Sequence, residues 1–296
     1  MGKNGTWGYF DCSLDRFLLW VVETKLSLDM NYQYIKTEQS DLIATIRLNH
    51  YAKRNALSDC LIEEIHDALN VFGKQDVRAL VLRSDQKNPV WSAGHDVMEL
   101  PRADRDPLPA DDPVMVLLQS IRAFRAPVIA MVDGSVWGAS TDLIMSCDIA
   151  MGDHDSTFAI TPAKLGLPYT ASGILHFMSR MPLNVVKEMF LTAEPIPADR
   201  ALQIGILNHL YVAGELEEKT YRMARIIAKR SPQANTVFKA QSQMLSDAAL
   251  LNPIVFEHLQ TLRRNVFRGS DYREGITAFL ERREPVFSQA DIKPHQ

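Results

Sequence analysis

The chain is short of the residues that mark several function classes. It has three cysteines in 296 residues, Cys12, Cys60 and Cys147. They are too few and too scattered for a disulfide framework or a metal knuckle, and a reducing cytoplasm is the simplest compartment for them. The eight histidines do not gather at ligand spacing, so no metal site is expected. Neither GxGxxG nor GxxxxGKS/T occurs, so the chain has no glycine-rich nucleotide loop. No apolar run approaches the length of a membrane span. The run from Phe17 to Val22 is short and flanked by Asp15 and Glu23. It has no basic leader and no small-residue cleavage site, and so does not read as a signal peptide. A basic stripe is also missing: the formal net charge is -4, which argues against a nucleic-acid partner. There is no internal repeat and no low-complexity segment.

What is present fits a globular protein with a sizeable core, at 46% hydrophobic and 23% charged residues. Residues 1–29 look unlike the rest: a strand-like stretch follows Met30 directly, so they read either as preceding a biological start at Met30 or as a loosely packed N-terminal extension. LIATIRL at 42–48 reads as a strand and KRNAL at 53–57 as a loop. Ser58 is placed to cap a helix through Phe72. Leu61, Ile65, Ala68, Leu69 and Phe72 recur there at helical spacing, and Gly73 stops it. RALVLR at 78–83 reads as a buried strand, and 101–113, rich in proline and aspartate, as a surface loop. A helix is expected at 114–124 and a strand at 127–132. Further strands are expected at 147–152 and 206–212, with a loop at 161–171 and helices at 182–192 and 197–204. From 213 to about 284 the pattern is helical. Strand–helix alternation followed by a helical tail predicts an α/β core over 30–212 and a helical subdomain over 213–296.

The chemistry is concentrated in residues 133–169. DGSVWGASTDLIMSCDIA from Asp133 reads as a strand end, a tight turn of small residues and a helix that begins at once. Such a backbone leaves free N–H groups at a helix N-terminus, where an anion can sit. Trp91-Ser92-Ala93-Gly94-His95-Asp96 reads as a second turn after a buried strand. Two N–H groups, one from each turn, can hold an oxyanion. Thr161, Pro162 and Tyr169 add polar groups with little charge.

SAGHD at 92–96, PVIAMVDGSVWGAS at 127–140, CDIA at 147–150 and Ala201 with Gly205-Ile206-Leu207 resemble the crotonase (enoyl-CoA hydratase/isomerase) superfamily. The resemblance runs from about 30 to 287. Within the superfamily, GSVWG, TFAITPAKLGLPY at 157–169, GILNH at 205–209 and AFLERREPVF at 278–287 are similar to its decarboxylases of malonyl-type thioesters. The resemblance implies an α/β spiral of repeated strand–strand–helix units with a C-terminal helical subdomain used for trimerisation, and trimers that often stack as hexamers.

It also implies site residues. The oxyanion donors fall at His95 and Ala139, where a glycine is usual at 139. Ala93, Gly94, Asp96, Trp137, Gly138 and Pro162 line the same region. Of the two hydratase carboxylates, one aligns with Asp142, where glutamate is usual, and the other with Ala163, which cannot act as a base. Asp142 equally suits the ordinary role of answering a helix dipole. Tyr169 matches a tyrosine that orients the substrate carboxylate, Thr161 a threonine of the same pocket, and the His95 side chain is a further candidate there. Asn55, Ala56 and Leu57 resemble the loop that meets coenzyme A through its backbone. Arg54 could meet a phosphate, and Phe279 and Arg282 resemble residues that reach the nucleotide from a neighbouring subunit.

The activity implied is conversion of methylmalonyl-CoA, or a close relative, to propionyl-CoA and CO2. No cofactor is implied beyond the coenzyme A of the substrate itself, and no nucleic-acid or membrane partner. Either water or Tyr169 could protonate the enolate. Other crotonase activities (isomerase, weak hydratase, acyl-CoA hydrolase) stay open through Asp142, as does a non-catalytic RNA-binding homologue.

Overall fold

The computed structural model describes residues 25–26, 31–85, 89–101, 105–247 and 253–287. Of the extension, Lys25–Leu26 form a strand (β1). The apolar run at 17–22 and the rest of 1–29 lie outside the described residues, apart from that strand.

The first strands are β2 (Ile35–Ser40), antiparallel to β1, and β3 (Ile43–Leu48). They form a hairpin through Asp41, whose φ of 52° is a conformation that aspartate tolerates better than most residues. Then come α1 (Asp59–Gly73), β4 (Ala79–Ser84), β5 (Val90–Ser92) and α2 (Pro113–Ala123). The central stretch holds β6 (Val128–Val132), β7 (Ser135–Trp137), α3 (Ala139–Ser146), β8 (Ile149–Asp153) and β9 (Thr157–Ala159). It is followed by α4 (Ala171–Arg180), α5 (Leu183–Thr192), β10 (Ile196–Pro197), α6 (Ala198–Ile204) and β11 (His209–Tyr211). Four helices end the described chain: α7 (Ala213–Ala228), α8 (Pro232–Ser246), α9 (Pro253–Phe267) and α10 (Ser270–Glu281).

The large sheet runs β1-β2-β3-β4-β6-β8-β11, parallel from β3 onward. Its strands β4 and β6 are buried at every position. Continuous apolar runs of this kind suit parallel strands covered on both faces. One face packs into the main core with α1 and α2, and the other is covered by α7 through Leu216 and Ala224 on Val81, Ile129 and Met151. The small sheet runs β10-β9-β7-β5. β4 leads to β5, β6 to β7 and β8 to β9, so each spiral turn gives one strand to each sheet before a helix. This is the strand–strand–helix repeat that the resemblance implied.

Two sequence expectations change. Ser58 stands at the N-cap of α1, but its hydroxyl makes no capping bond; the Asp59 N–H instead donates to Glu99 Oε2 at 2.9 Å. Strand β9 and helix α4 were not expected, because three residues carry too little period and the small residues Ala171, Ser172 and Gly173 hide the start of the helix. The signal for α4 was its cap: Thr170 Oγ1 accepts from Gly173 N at 3.0 Å. The helical tail expected from the sequence is present, and it is seated on the core. Phe267, Tyr272 and Ile276 belong to the main core. Arg263 of α9 donates to both Asp106 oxygens, at 2.9 and 2.7 Å. Tyr272 of α10 donates to Pro101 O at 2.7 Å. The C-terminal helices therefore fix the loops around the site.

Candidate active site

Two turns meet at the start of α3. Gly94 has φ +87°, and a Cβ there would lie 2.5 Å from Trp137 O and 3.3 Å from Ala139 N. Only glycine allows that approach. Leu57 N donates to Gly94 O and Asp96 N to Leu57 O, at 2.8 and 3.3 Å, which pins both sides of His95. Gly138, at φ +51°, donates to Ala159 O at 2.8 Å and turns the chain into α3. The His95 and Ala139 N–H groups have no acceptor among the described residues. A buried hydroxyl chain ties the turns together. Ser92 Oγ donates to Asn55 O at 2.6 Å and, its proton so used, accepts from Ser140 Oγ at 2.5 Å. The result is a rigid cradle of two free donors at a helix N-terminus, suited to a developing oxyanion.

The His95 ring is occupied elsewhere. Nδ1 donates to Asp96 O at 3.1 Å, since a carbonyl only accepts, and Nε2 lies 3.4 Å from Asp112 Oδ2. Asp112 also caps α2, accepting from Val114 N at 2.9 Å. Burial pulls the imidazole pKa down, but the hydrogen bond and charge of Asp112 outweigh it, and the net shift is upward from 6.5. A raised histidine stabilises the fold fully below its unfolded pKa, and loses that contribution as pH rises through the folded one. Asp112→Asn keeps the cap and removes the charge. Its melting temperature is therefore expected to fall most, relative to wild type, near about pH 6 and to converge with it near about pH 9. A gap that does not change with pH contradicts the pairing.

One helical turn beyond Ala139 stands Asp142, 1% exposed. Each of its oxygens takes one donor: Tyr169 Oη reaches Oδ2 and His176 Nδ1 reaches Oδ1, both at 2.6 Å. Burial first, then the Asp142 charge and hydrogen bond, raise the Tyr169 pKa well above its ordinary value. The Tyr169 ring packs edge-on against Phe190 with centroids 5.3 Å apart. A Cβ on Gly173 would lie 2.3 Å from Tyr169 Cε1, so the start of α4 is moulded to that ring. Asp142 and His176 also line a cavity of about 210 Å³ with Arg122, Leu118, Phe256 and Arg263. His176 was not singled out from the sequence, since α4 itself was not.

The other expected residues divide into two groups. Thr161 lies beside the cradle, 3.1 Å from where a Cβ on Gly138 would stand, and Pro162 opens a short 3-10 turn over Pro162–Leu165. Ala163 in that turn is exposed. Trp137 and Ala93 are half-buried at the turns. Asn55 is structural as a side chain: its oxygen accepts from His50 N at 2.7 Å and its amide donates to Trp91 O at 3.0 Å. Asp96 is likewise engaged, pairing with Lys53 Nζ at 2.6 Å and accepting from Met98 N at 3.0 Å. Ala56 and Leu57 are buried and Arg54 is exposed, on the loop next to the His95 turn. Phe279 and Arg282 are exposed at the end of α10, and among the described residues no hydrogen bond or ion pair joins them to the cradle.

A spiral of paired sheets with two free backbone N–H donors, one at the start of α3 and one in the adjoining turn, defines an enzyme class that stabilises an oxyanion. The sequence pattern of enoyl-CoA hydratase/isomerase matches residues 38–290, and the chain belongs to that family. Over 258 residues it is 42% identical to methylmalonyl-CoA decarboxylase of Escherichia coli (strain K12), covering 87% of this chain and 99% of that protein. It is 34% identical to enoyl-CoA hydratase domain-containing protein 3, mitochondrial, of Homo sapiens, over 86% of this chain and 83% of that one. Among solved structures, methylmalonyl-CoA decarboxylase complexed with 2S-carboxypropyl CoA superposes with a TM-score of 0.86 at 41% identity, over 88% of this chain and 100% of that one.

Proposed function

We propose that the protein decarboxylates methylmalonyl-CoA, or a close malonyl-type thioester, to propionyl-CoA and CO2. The observation that carries this reading is an intact two-donor cradle beside an exposed Ala163, where the family resemblance places the second hydratase carboxylate. Hydration needs a placed acid–base pair. Decarboxylation needs a sink for electrons. The bond between the α-carbon and the carboxylate carbon breaks, and its electron pair moves into the thioester carbonyl. The charge settles on the oxygen held by His95 N–H and Ala139 N–H, and a proton completes the α-carbon. The thioester is itself the sink, so no cofactor takes part and coenzyme A enters only as part of the substrate.

The Tyr169–Asp142 pair presents hydrogen-bond acceptors one helical turn from Ala139. A carboxylate bound beside it gains little stabilisation there, and that charge has left in the transition state. Ala56 and Leu57 meet the pantetheine through their backbone, and Arg54, Phe279 and Arg282 serve the nucleotide end. Exposed Val237, Phe238, Met244, Leu245 and Ile254 on α8 and α9 support a homotrimer, or stacked trimers, that buries them. No helix among the described residues is long and apolar enough to cross a membrane. We place the protein in the cytoplasm, where free Cys60 and Cys147 stay reduced.

Separate incubations with methylmalonyl-CoA, ethylmalonyl-CoA, malonyl-CoA and crotonyl-CoA test the reading. Mass spectrometry of the thioesters is expected to show CO2 loss from at least the first. Water addition to crotonyl-CoA alone, with every malonyl thioester intact, overturns it.

A further inference from the structure

We propose, resting on the decarboxylase reading above, that His176 is a positioning residue that acts through Asp142 on the Tyr169 hydroxyl. Asp142 is buried, and a buried carboxylate depends on placed donors. It has two, the Tyr169 hydroxyl and His176 Nδ1, one on each oxygen. The tyrosine has a single proton, and that proton points at Asp142. What Tyr169 Oη can offer to anything else is therefore a lone pair.

His176 keeps the bond in that sense. With Nδ1–H on one oxygen, Asp142 remains an acceptor for Tyr169 on the other. Without His176 one oxygen has no donor, and nothing holds the carboxylate in the orientation that accepts from Tyr169. The tyrosine proton is then free to turn outward. An outward O–H would hold the scissile carboxylate of the substrate in its ground state more firmly than in the transition state, which lowers the rate. The geometry is built for this contact: Asp142 lies on α3, His176 on α4, and Gly173 one turn earlier on α4 makes room for the Tyr169 ring.

The test compares kcat and KM for methylmalonyl-CoA in wild type, His176→Leu, His176→Asn, His176→Gln, Tyr169→Phe and the Tyr169→Phe/His176→Leu double variant. Loss of the charge-assisted bond in His176→Leu is expected to lower kcat about 10- to 100-fold with little change in KM. Asn sets an amide N–H where Nδ1 stands and is expected to restore most of kcat. Gln sets it one atom further out and should stay slow. The double variant should be no slower than Tyr169→Phe alone, because His176 then has no hydroxyl to act on.

Wild-type kcat in His176→Leu overturns the proposal, and so does the same loss when Tyr169 is already absent. Should the leucine variant fail to fold by thermal melt, equal rates in Asn and Gln overturn it instead. A wild-type enzyme that leaves methylmalonyl-CoA untouched fails at the earlier step and rejects the decarboxylase reading itself, which the variants do not.

Discussion

Gly94→Ala is expected to lower kcat/KM by about 100- to 1,000-fold, the cost of losing one oxyanion donor. The new methyl group would stand 2.5 Å from Trp137 O, a backbone atom that cannot rotate away, and at a φ of +87° that alanine rarely adopts. Relief requires the two turns to part. The His95 N–H and the Ala139 N–H then no longer converge, although both remain present. The hydroxyl chain from Ser140 through Ser92 to Asn55 O would strain along with them. Stability should also drop, by about 1–3 kcal/mol, since strain at a special φ and local overpacking act together. Steady-state kinetics with a thermal melt at the same temperature range separates the two effects. A folded variant with near-normal turnover contradicts the cradle.

Tyr169→Phe is expected to lower kcat about 10- to 100-fold, and stability by about 1–3 kcal/mol, because the change leaves one oxygen of a buried carboxylate without its donor. The ring itself stays packed against Phe190, so the substitution conserves shape. What it removes is the hydroxyl at 2.6 Å from Asp142 and the acceptor wall the pair forms. Rate and melting temperature are measured on the same preparation. Unchanged turnover takes Tyr169 out of the mechanism.

Much of this site was legible in the sequence because it is made of backbone. Gly94, Gly138 and the small residues around Ala139 are demanded by turn geometry, and turn geometry leaves a mark in residue type. Strand β3, the buried strands β4 and β6 and the helix α1 were legible through apolar pattern; the hairpin that pairs β2 with β3 was not. The partners of Asp142 were not. A carboxylate in the first turn of a helix has an ordinary explanation in the helix dipole, and nothing local to residue 142 announces a tyrosine 27 and a histidine 34 positions later. Those contacts exist because α4 folds across α3. Helix α4 was hidden by Ala171, Ser172 and Gly173, the last of which leaves the room that the Tyr169 ring needs. Likewise the His95 ring reads from the sequence as a candidate for the substrate pocket. The structure turns it to Asp112, a helix cap in a loop whose composition suggests only exposure.

The central claim is that carbon–carbon cleavage leaves a thioester enolate that then takes up a proton at its α-carbon. Methylmalonyl-CoA labelled at the free carboxyl, turned over in deuterated water, tests it directly. The account predicts that the label leaves entirely as CO2 and that propionyl-CoA carries a single deuterium at its α-carbon. Label retained in the thioester, or a product in which water has been added or the thioester hydrolysed, contradicts it.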